Sequence, residues 1–211
     1  MIQSPEVREW RQAKRAELLA RRIAVPLSQR RLWTRAITAH LLDGLPMLRG
    51  PMVRGLVIGC YWPFKAEFDP RHAAREWRRQ GARIALPVVV RKDAPLQFRA
   101  WWPGAPMTTG VWGIPIPDAT DLVVPQALLI PPVGFDAAGY RLGYGGGFYD
   151  RTLAAMHPRP LAIGVGYELS RMDTIRPQPG DVPMDVIVTE AGVQSPSDRR
   201  PGDGRSSRTA P

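Results

Sequence analysis

Hydrophobic positions recur with a helical spacing through the N-terminal part of the chain. Ser4-Pro5-Glu6 favours a helix start, because a serine caps free N–H groups, proline suits the first turn and an acid suits the positive end of the helix dipole. The partly apolar stripe of this predicted helix, which runs to about Arg22, consists of Val7, Trp10, Lys14, Leu18 and Ile23. Pro26 interrupts the pattern, and a second helix is predicted over 28–42 before Asp43-Gly44.

Beyond the two helices the pattern changes to short apolar runs rich in β-branched residues. These runs lie at 55–61, 83–90, 97–101, 127–133, 161–165 and 185–189. Helical stretches are predicted between some of them, at 70–80 and 147–156. Strands that are apolar on both faces and alternate with helices indicate a largely parallel sheet covered on both sides. The sequence therefore predicts a single α/β domain of the Rossmann-like three-layer type.

Two segments depart from this alternation, and the second of them sets the predicted domain boundary. The segment 102–125 is rich in proline and glycine but keeps apolar residues, so it is predicted to be an ordered loop with short extended pieces. The segment 195–211 has almost no apolar residues, which predicts a disordered tail after a domain over 1–194. No apolar run approaches the roughly 18 residues of a membrane span, and the N-terminus lacks a signal-peptide pattern, so a cytoplasmic protein is expected.

The composition favours an anionic partner. The formal net charge is +10, and arginine supplies most of the positive charge. Charge by itself does not separate nucleic acid from a multiply charged small ligand, although the basic residues are spread along the chain and form no single long run. The one cysteine, Cys60, lies in an apolar run and is predicted to be a buried strand residue.

One glycine-rich stretch lies between a predicted strand and a predicted helix. It reads Arg141-Leu142-Gly143-Tyr144-Gly145-Gly146-Gly147-Phe148-Tyr149-Asp150. Glycines admit positive φ and close backbone approach, and free N–H groups at a helix N-terminus form a concavity that binds anions. The spacing matches neither the dinucleotide fingerprint nor the Walker loop. The stretch predicts a phosphate-binding loop of another type, with a flexible connector as the alternative interpretation.

The loop needs help to hold a nucleotide. A charge at a helix N-terminus gains roughly 0.3–1 kcal/mol, whereas millimolar binding requires about 4 kcal/mol. Arginines and a metal ion are therefore expected beside the loop, and Asp150 offers an oxygen ligand to Mg²⁺. Asp181, on a predicted turn before the strand at 185–189, is the candidate second ligand, although taken alone it is an ordinary turn residue.

The stretch resembles the signature Arg-Leu-Gly-x-Gly-x-Gly-Phe/Tyr-Tyr-Asp of 5-formyltetrahydrofolate cyclo-ligases, also called methenyltetrahydrofolate synthetases. Further segments resemble this family in the same order: 11–15 with 18–22, then 61–67, then Asp181 with 186–190. The resemblance covers residues 8–193 approximately. Phe68 and Ile116 depart from the family pattern on the side where the folate is expected.

The resemblance implies an enzyme that uses ATP and Mg²⁺ to cyclise 5-formyltetrahydrofolate to 5,10-methenyltetrahydrofolate, with release of ADP and phosphate. The implied chemistry phosphorylates the formyl oxygen, after which N10 of the folate attacks the formyl carbon and displaces phosphate. Both nucleophiles belong to the substrate, so the protein supplies position and charge and needs no catalytic Ser, Cys or His. A monomer acting on a small reduced folate in one-carbon metabolism is expected.

The resemblance also implies which residues form the site. Arg141 gives electrostatic support to the reaction, and Asp150 and Asp181 hold the metal. The reduced folate contacts Glu67, Tyr144 and Phe148. The ATP contacts are Arg11, Arg15, Arg141, Leu142, Gly143, Tyr144, Gly145, Gly146, Gly147, Phe148 and Tyr149.

Glu67 is the candidate that orients the folate. It follows a predicted strand, and its carboxylate can accept two parallel hydrogen bonds from the pterin N–H and amino group. A helix is predicted to begin just beyond it, with Asp69 capping and Pro70 in the first turn. The alternative interpretation is a surface glutamate that pairs loosely with Lys65, which is worth at most about 1 kcal/mol.

Other classes of function remain open from the residues. A folate- or nucleotide-binding regulator without turnover is motivated by Phe68 and Ile116. A nucleic-acid-binding protein is motivated by the charge, but the sequence carries no RNP, helix-turn-helix or zinc pattern. A kinase-like enzyme that acts on another small acid is the last alternative.

Overall fold

A computed structural model describes residues 4–196, and within that range the chain forms four α-helices and a seven-stranded central sheet. The helices are α1 (Pro5–Ala24), α2 (Leu27–Asp43), α3 (Arg71–Arg79) and α4 (Phe148–Ala155). The strands are β1 (Val57–Gly59), β2 (Arg83–Val88), β3 (Gln97–Trp101), β4 (Met107–Thr109), β5 (Pro115–Pro117), β6 (Ala127–Ile130), β7 (Gly134–Phe135), β8 (Arg141–Leu142), β9 (Leu161–Val165), β10 (Val186–Thr189) and β11 (Gly192–Gln194).

The central sheet is largely parallel, as predicted. Its order is β11-β10-β9-β6-β1-β2-β3. The five inner strands, from β10 to β2, pair in parallel, whereas the edge strands β3 and β11 are antiparallel to their neighbours. The run predicted at 127–133 forms a strand only to Ile130, because Pro131 and Pro132 have no N–H to continue the ladder.

Helices cover both faces of the sheet, which confirms the three-layer prediction. Alternate residues of each buried strand point to opposite faces. Ile58 and Leu129 pack with α2 and α3 in one apolar cluster, whereas Val57 and Leu128 pack with Leu153 of α4 in another. Cys60 is buried as predicted, and burial raises the pKa of its thiol.

Helix α1 begins as predicted, with the side chain of Ser4 accepting a hydrogen bond from the N–H of Val7. Its predicted apolar stripe is wrong at Ile23, which is 54% exposed. The buried residues of α1 are instead Arg11, Leu18 and Arg22. The helix presents arginines to the interior because it lies over the loops that follow β1, β6 and β9, where their guanidinium groups find carboxylate and carbonyl partners.

The predicted ordered loop at 102–125 contains short extended pieces, β4 and β5, which pair as an antiparallel hairpin. The pattern did not predict the hairpin β7–β8 or the edge strand β11, since each has only two or three residues. The last described strand ends at Gln194, and of the predicted tail the residues 197–211 lie outside the described part of the chain. Within residues 4–196, no helix combines the length and apolar character that a membrane span requires.

The connections create a crevice between β1 and β6. The chain leaves β1 through α3 toward β2 on one side, and leaves β6 through α4 toward β9 on the other. The two crossovers use opposite faces of the sheet. In open α/β sheets, ligands bind at such a topological switch point, beyond the carboxyl ends of the strands. The loops after β1 and β6 are therefore the ones expected to carry a site.

Candidate active site

The loop after β6 is a rigid platform for the glycine-rich stretch. The hairpin β7–β8 turns around Asp136, a buried carboxylate. Asp136 Oδ1 accepts hydrogen bonds from the N–H groups of Ala138 and Tyr140, and Oδ2 accepts one from the N–H of Ile175. These bonds satisfy the buried charge and fix the point at which the chain enters the glycine loop, defined as residues 143–147.

The glycine loop adopts the geometry of an anion-binding turn. Gly145 has φ +96° and Gly147 has φ +63°, which are left-handed conformations that favour glycine. Gly147 is also the N-cap residue of α4. Within residues 4–196, the N–H groups of the glycine loop donate to no protein acceptor. They and the N-terminus of α4 together form a donor surface suited to phosphate.

Arg15 of α1 lies under this loop. Its Nε donates to the carbonyl oxygen of Gly143 at 2.8 Å. A Cβ built on Gly145 would lie 3.9 and 4.0 Å from the two terminal nitrogens of Arg15. Burial and the neighbouring Arg11 lower the pKa of Arg15, because both disfavour another positive charge there. An anion in the loop would relieve this repulsion.

Arg11 and Asp181 form a partly buried ion pair across the chain. The guanidinium donates to both carboxylate oxygens of Asp181 and to the carbonyl oxygens of Ile175 and Arg176. The Arg11 side chain is 8% exposed, so protein acceptors already surround it. Although Arg11 and Arg15 lie one turn apart, Arg15 faces the glycine loop and Arg11 positions Asp181.

Arg141 and Asp150 form a second pair beside the first. Arg141 Nη2 donates to Asp150 Oδ1 at 2.9 Å, and Arg141 Nη1 donates to the carbonyl oxygen of Val182 at 2.6 Å. Asp150 Oδ1 also accepts the N–H of Val182 at 3.0 Å. Since Val182 follows Asp181, these bonds hold the backbone next to Asp181 against Asp150 and Arg141. Burial lowers the pKa of Arg141, and Asp150 counters that shift.

One carboxylate oxygen of Asp150 is available to a cation, whereas both oxygens of Asp181 accept from Arg11 and Oδ2 also accepts the N–H of Gln178. Asp150 Oδ2 makes no hydrogen bond within residues 4–196, while Oδ1 holds the structural contacts. In the same part of the chain, no group of three or more His, Cys, Asp or Glu side chains forms an all-protein metal site. Mg²⁺ suits such a setting, because it takes one or two carboxylates and completes its octahedron with phosphate oxygens and water.

The aromatic and apolar residues of the motif take different positions. Leu142 is fully buried, so only its backbone can face a ligand. Tyr149 packs against the apolar cluster on the α4 side of the sheet, and burial raises the pKa of its hydroxyl. Phe148 lies at the start of α4, with its ring centroid 6.0 Å from that of Trp112 and 5.3 Å from the Arg151 guanidinium.

Glu67 is buried, so the interpretation as a surface glutamate paired with Lys65 is wrong. Its side chain is 3% exposed, and Arg22 Nη2 lies 3.7 Å from its Oε1. Oε1 accepts the Tyr144 hydroxyl at 2.8 Å, and Oε2 accepts the N–H of Phe64 at 2.8 Å. Burial raises the pKa of Glu67 to about 7, against the opposing effect of Arg22 and of these hydrogen bonds.

Sequence reasoning missed Arg22 as a residue of this site. Its Nε donates to the carbonyl oxygen of Lys65, Nη1 to that of Pro132 and Nη2 to the Tyr144 hydroxyl. An arginine near the end of an amphipathic helix is expected to be solvated, and only the position of α1 over both loops makes it internal.

The predicted cap of the helix after Glu67 lies one residue outside its N-cap. Pro70 is the N-cap residue of α3, and the Asp69 side chain accepts a hydrogen bond from the N–H of Arg71.

A cavity of about 860 Å³ opens between α2 and the loop after β1. Glu67 and Asp69 lie at its wall, and Tyr167 also lines it. Arginines of α2 complete the lining: Arg30, Arg31 and Arg35. The cavity therefore joins a buried carboxylate to a basic surface, a combination that suits a ligand with hydrogen-bond donors at one end and negative charge at the other.

Comparisons with known proteins agree with the family that the motif resembles. The sequence profile of the 5-formyltetrahydrofolate cyclo-ligase family matches residues 7–190. The cyclo-ligase of Escherichia coli K12 is 28% identical over 180 residues, which is 82% of this chain and 96% of that protein. The cyclo-ligase of Mycolicibacterium smegmatis is 31% identical over 185 residues, which is 83% of this chain and 91% of that protein.

Solved structures give the same result for the fold. The NMR structure of Aquifex aeolicus 5,10-methenyltetrahydrofolate synthetase superposes with a TM-score of 0.75 at 26% identity, covering 94% of this chain and 99% of that one. The synthetase of Mycoplasma pneumoniae superposes with a TM-score of 0.68 at 25% identity, covering 85% of this chain and 98% of that one. The profile match over residues 7–190 includes both loops of the site.

Proposed function

The chain belongs to the 5-formyltetrahydrofolate cyclo-ligase family, and from this membership we propose that it uses ATP and Mg²⁺ to convert 5-formyltetrahydrofolate to 5,10-methenyltetrahydrofolate. One observation supports this most strongly: a phosphate-type glycine loop and a buried carboxylate meet at the switch point of the sheet, joined by the Tyr144–Glu67 hydrogen bond. The reaction needs both parts, since a phosphoryl donor and a pterin must lie side by side.

The reaction transfers the γ-phosphoryl group of ATP to the formyl oxygen and leaves ADP. N10 of the folate then forms a bond to the formyl carbon and releases its proton, the carbon–oxygen bond to phosphate breaks, and inorganic phosphate departs. The protein positions both reactants and places positive charge around the transferred group. Arg15 and the glycine loop N–H groups are the donors assigned to the phosphates. Arg141 adds positive charge near the transferred group and holds Asp150 in place.

Each acidic residue has a distinct task in this proposal. Asp150 and Asp181 are assigned to Mg²⁺, with Arg11 and Arg141 holding them in place. When bound, the metal neutralises phosphate charge during transfer. Glu67 orients the pterin by accepting hydrogen bonds from its N–H and amino group. The basic lining of the α2 cavity suits a substrate that carries carboxylates at its far end.

The direct test of the proposal is turnover by the purified full chain. With 5-formyltetrahydrofolate, ATP and Mg²⁺, we expect the absorbance of the methenyl product to rise while ADP accumulates in equal amount. Omitting Mg²⁺ or ATP should abolish the signal. Folded protein that binds both ligands but forms no product under these conditions contradicts the proposal and favours a binding role.

Replacing the pterin ligand should separate the two substrates. We expect Glu67→Gln to weaken folate binding at least about tenfold, or about 1.4 kcal/mol, because an amide presents one donor to ligand donors. ATP affinity should stay within about twofold, since the glycine loop is otherwise intact. Calorimetric titration of each ligand measures both effects. Glu168→Gln is the matched control, because Glu168 likewise lies beside an arginine and accepts a hydrogen bond from a hydroxyl. Unchanged folate affinity, or an equal fall in ATP affinity, would remove Glu67 from this role.

The raised pKa of Glu67 predicts a pH dependence with a definite sign. With a pKa of about 7 in the free protein, Glu67 is increasingly protonated as the pH falls through neutrality, so folate affinity should fall on the acid side. The contribution of Glu67 to stability has the opposite sign. Its folded pKa lies above the ordinary value, so this contribution is complete at low pH and is lost as the pH rises through about 7. Folate titrations at pH 6 and 8 measure the first effect, and Glu67→Gln should flatten it.

A further inference from the structure

The Tyr144 hydroxyl joins the glycine loop to the loop after β1 and to α1 through two side-chain hydrogen bonds. It donates to Glu67 Oε1 at 2.8 Å and accepts from Arg22 Nη2 at 2.7 Å. Tyr144 lies inside the glycine loop, Glu67 in the loop after β1 and Arg22 on α1. The bridge therefore spans the two halves of the crevice, and the buried Arg22 of α1 fixes the position of the hydroxyl.

The donor and acceptor roles in this bridge have one consistent direction. The Arg22 side chain is 4% exposed, and all three of its nitrogens have protein acceptors, so the guanidinium holds a fixed orientation. Because Arg22 can only donate, the Tyr144 oxygen accepts from it and turns its own proton to Glu67. This arrangement stabilises the ionised form of Glu67, which is the form that accepts hydrogen bonds from a ligand.

The same hydroxyl restrains the glycine loop. The Tyr144 residue is 41% exposed, and its ring contacts Phe64 with centroids 6.0 Å apart. Its backbone N–H makes no hydrogen bond within residues 4–196. The loop is held by Arg15 at Gly143, by Arg151 at Gly146 and, between those points, by the Tyr144 hydroxyl. The hydrogen bond from Tyr144 to Glu67 therefore connects the conformation of the glycine loop with the position of the Glu67 carboxylate.

We infer that Tyr144 is a positioning residue that links the nucleotide loop to the substrate carboxylate, with Arg22 as its fixed anchor, so that the nucleotide and the reduced folate strengthen each other's binding. This inference rests on the proposed function. A phosphate group that orders the glycine loop places the Tyr144 hydroxyl on Glu67, and an ionised, oriented Glu67 is ready for the pterin. Linkage makes the effect reciprocal, so bound folate favours the loop geometry that accepts phosphate.

Tyr144→Phe tests the bridge, because it removes the hydroxyl and keeps the ring. We expect the folate dissociation constant at pH 7 to rise about tenfold, in the range for losing a hydrogen bond to a charged group. In the parent chain, a non-hydrolysable ATP analogue should tighten folate binding about fivefold or more, and in the variant this factor should approach one. Calorimetry with and without the analogue gives both values. Tyr140→Phe, outside the site, is the matched control and should behave as the parent.

Two further measurements separate a positioning role from a role in the fold alone, because a purely structural role would leave both unchanged. In the Glu67→Gln background, Tyr144→Phe should raise the folate dissociation constant by less than about twofold, because Tyr144 acts through Glu67. The acid limb of folate binding should move upward by about half a pH unit in the single variant, since Glu67 loses a bond that favours its charge. The ionisable groups that act on Glu67 include Arg22 of α1, Tyr144 of the loop, Tyr61 after β1 and Tyr149 of α4, with Lys65 near the Tyr144 ring. The cavity that Glu67 lines also carries Asp43, Asp69, His72 and the α2 arginines Arg30, Arg31 and Arg35.

The outcomes distinguish this inference from the proposed function. Additive effects of the two substitutions, an unshifted acid limb or an unchanged coupling factor in folded Tyr144→Phe protein overturn the bridge. These experiments measure binding only, so they do not depend on turnover. A parent chain that forms methenyl product while Tyr144→Phe matches it in every binding measurement retains the function and loses the inference. A parent chain that fails to form product, yet shows the coupling, loses the function and retains the bridge.

Discussion

Asp150→Asn lowers magnesium-dependent turnover by an expected factor of about 100 or more, a loss of about 2.7 kcal/mol of transition-state stabilisation. The structure makes this substitution unusually selective. Asp150 Oδ1 carries the contacts to Arg141 and to the N–H of Val182, and the amide oxygen of asparagine can keep both. The atom that changes is Oδ2, which makes no hydrogen bond within residues 4–196 and is the oxygen assigned to the metal. Activity measured against Mg²⁺ concentration should show a large rise in the half-saturating concentration.

The control for this prediction removes a carboxylate of the same kind elsewhere. Asp185 also pairs with an arginine, Arg159, and accepts a backbone N–H, that of Ala162. Asp185→Asn should therefore report the cost of weakening an arginine–carboxylate pair without touching the proposed metal site. Melting temperatures of both variants show whether the fold is intact. Folded Asp150→Asn protein with normal turnover and normal magnesium dependence would exclude Asp150 as a ligand.

Gly145→Val should abolish measurable ATP binding, which means a loss of at least about 100-fold or 2.7 kcal/mol. The main cause is conformational, because φ at this position is +96°, where a β-branched residue is strongly disfavoured. Crowding is secondary, since an added Cβ would lie 3.8 Å from the nearest atom of Arg15, an ordinary contact distance. The loop must therefore shift, which displaces its N–H groups and covers the terminal nitrogens of Arg15. Titration calorimetry with ATP and Mg²⁺ measures the loss.

Gly104→Val separates a loop effect from a general cost of strain. Gly104 has φ +91°, and no atom lies within 4 Å of a Cβ built on it, so it carries a similar backbone strain outside the site. It should lower the melting temperature and leave ATP affinity unchanged. If Gly145→Val binds ATP as the parent does, the glycine loop does not hold phosphate. Loss of binding in both variants would attribute the effect to destabilisation.

Local patterns were sufficient for most of the fold. The strand at Leu161–Val165 coincides with its predicted range, and the helices α2, α3 and α4 end within about a residue of their predicted bounds. These elements are buried runs or amphipathic segments whose periodicity is a local property of the chain. Elements without such a signal were missed. The hairpin β7–β8 has two residues in each strand, and its stability comes from the Asp136 network, which includes the distant N–H of Ile175.

The candidate site divides in the same way. The glycine loop could be predicted because its conformation is encoded by adjacent residues, and the left-handed φ values of Gly145 and Gly147 agree with that reasoning. The environment of Glu67 could not be predicted. Its surroundings come from residues far apart in the chain, including Arg22 and Tyr144. No local sequence pattern predicts that this carboxylate will be buried away from water.

The amino-acid sequence by itself determined the family, the α/β alternation and the glycine-rich turn before α4, because each depends on the order of residues over a short stretch. Only the tertiary structure decided the burial of Arg11 and Arg22, the pairing of Asp150 and Asp181 with arginines, and the bridge from Tyr144 to Glu67. The burial of both arginines and the Arg11–Asp181 pair depend on where α1 crosses the loops after β1, β6 and β9. The Arg141–Asp150 pair and the bridge depend on how the segment after β6 folds and meets the loop after β1. A charged residue type does not show in the sequence whether it will be buried. An arginine favours water wherever it stands, and it becomes internal only where the fold surrounds it with acceptors.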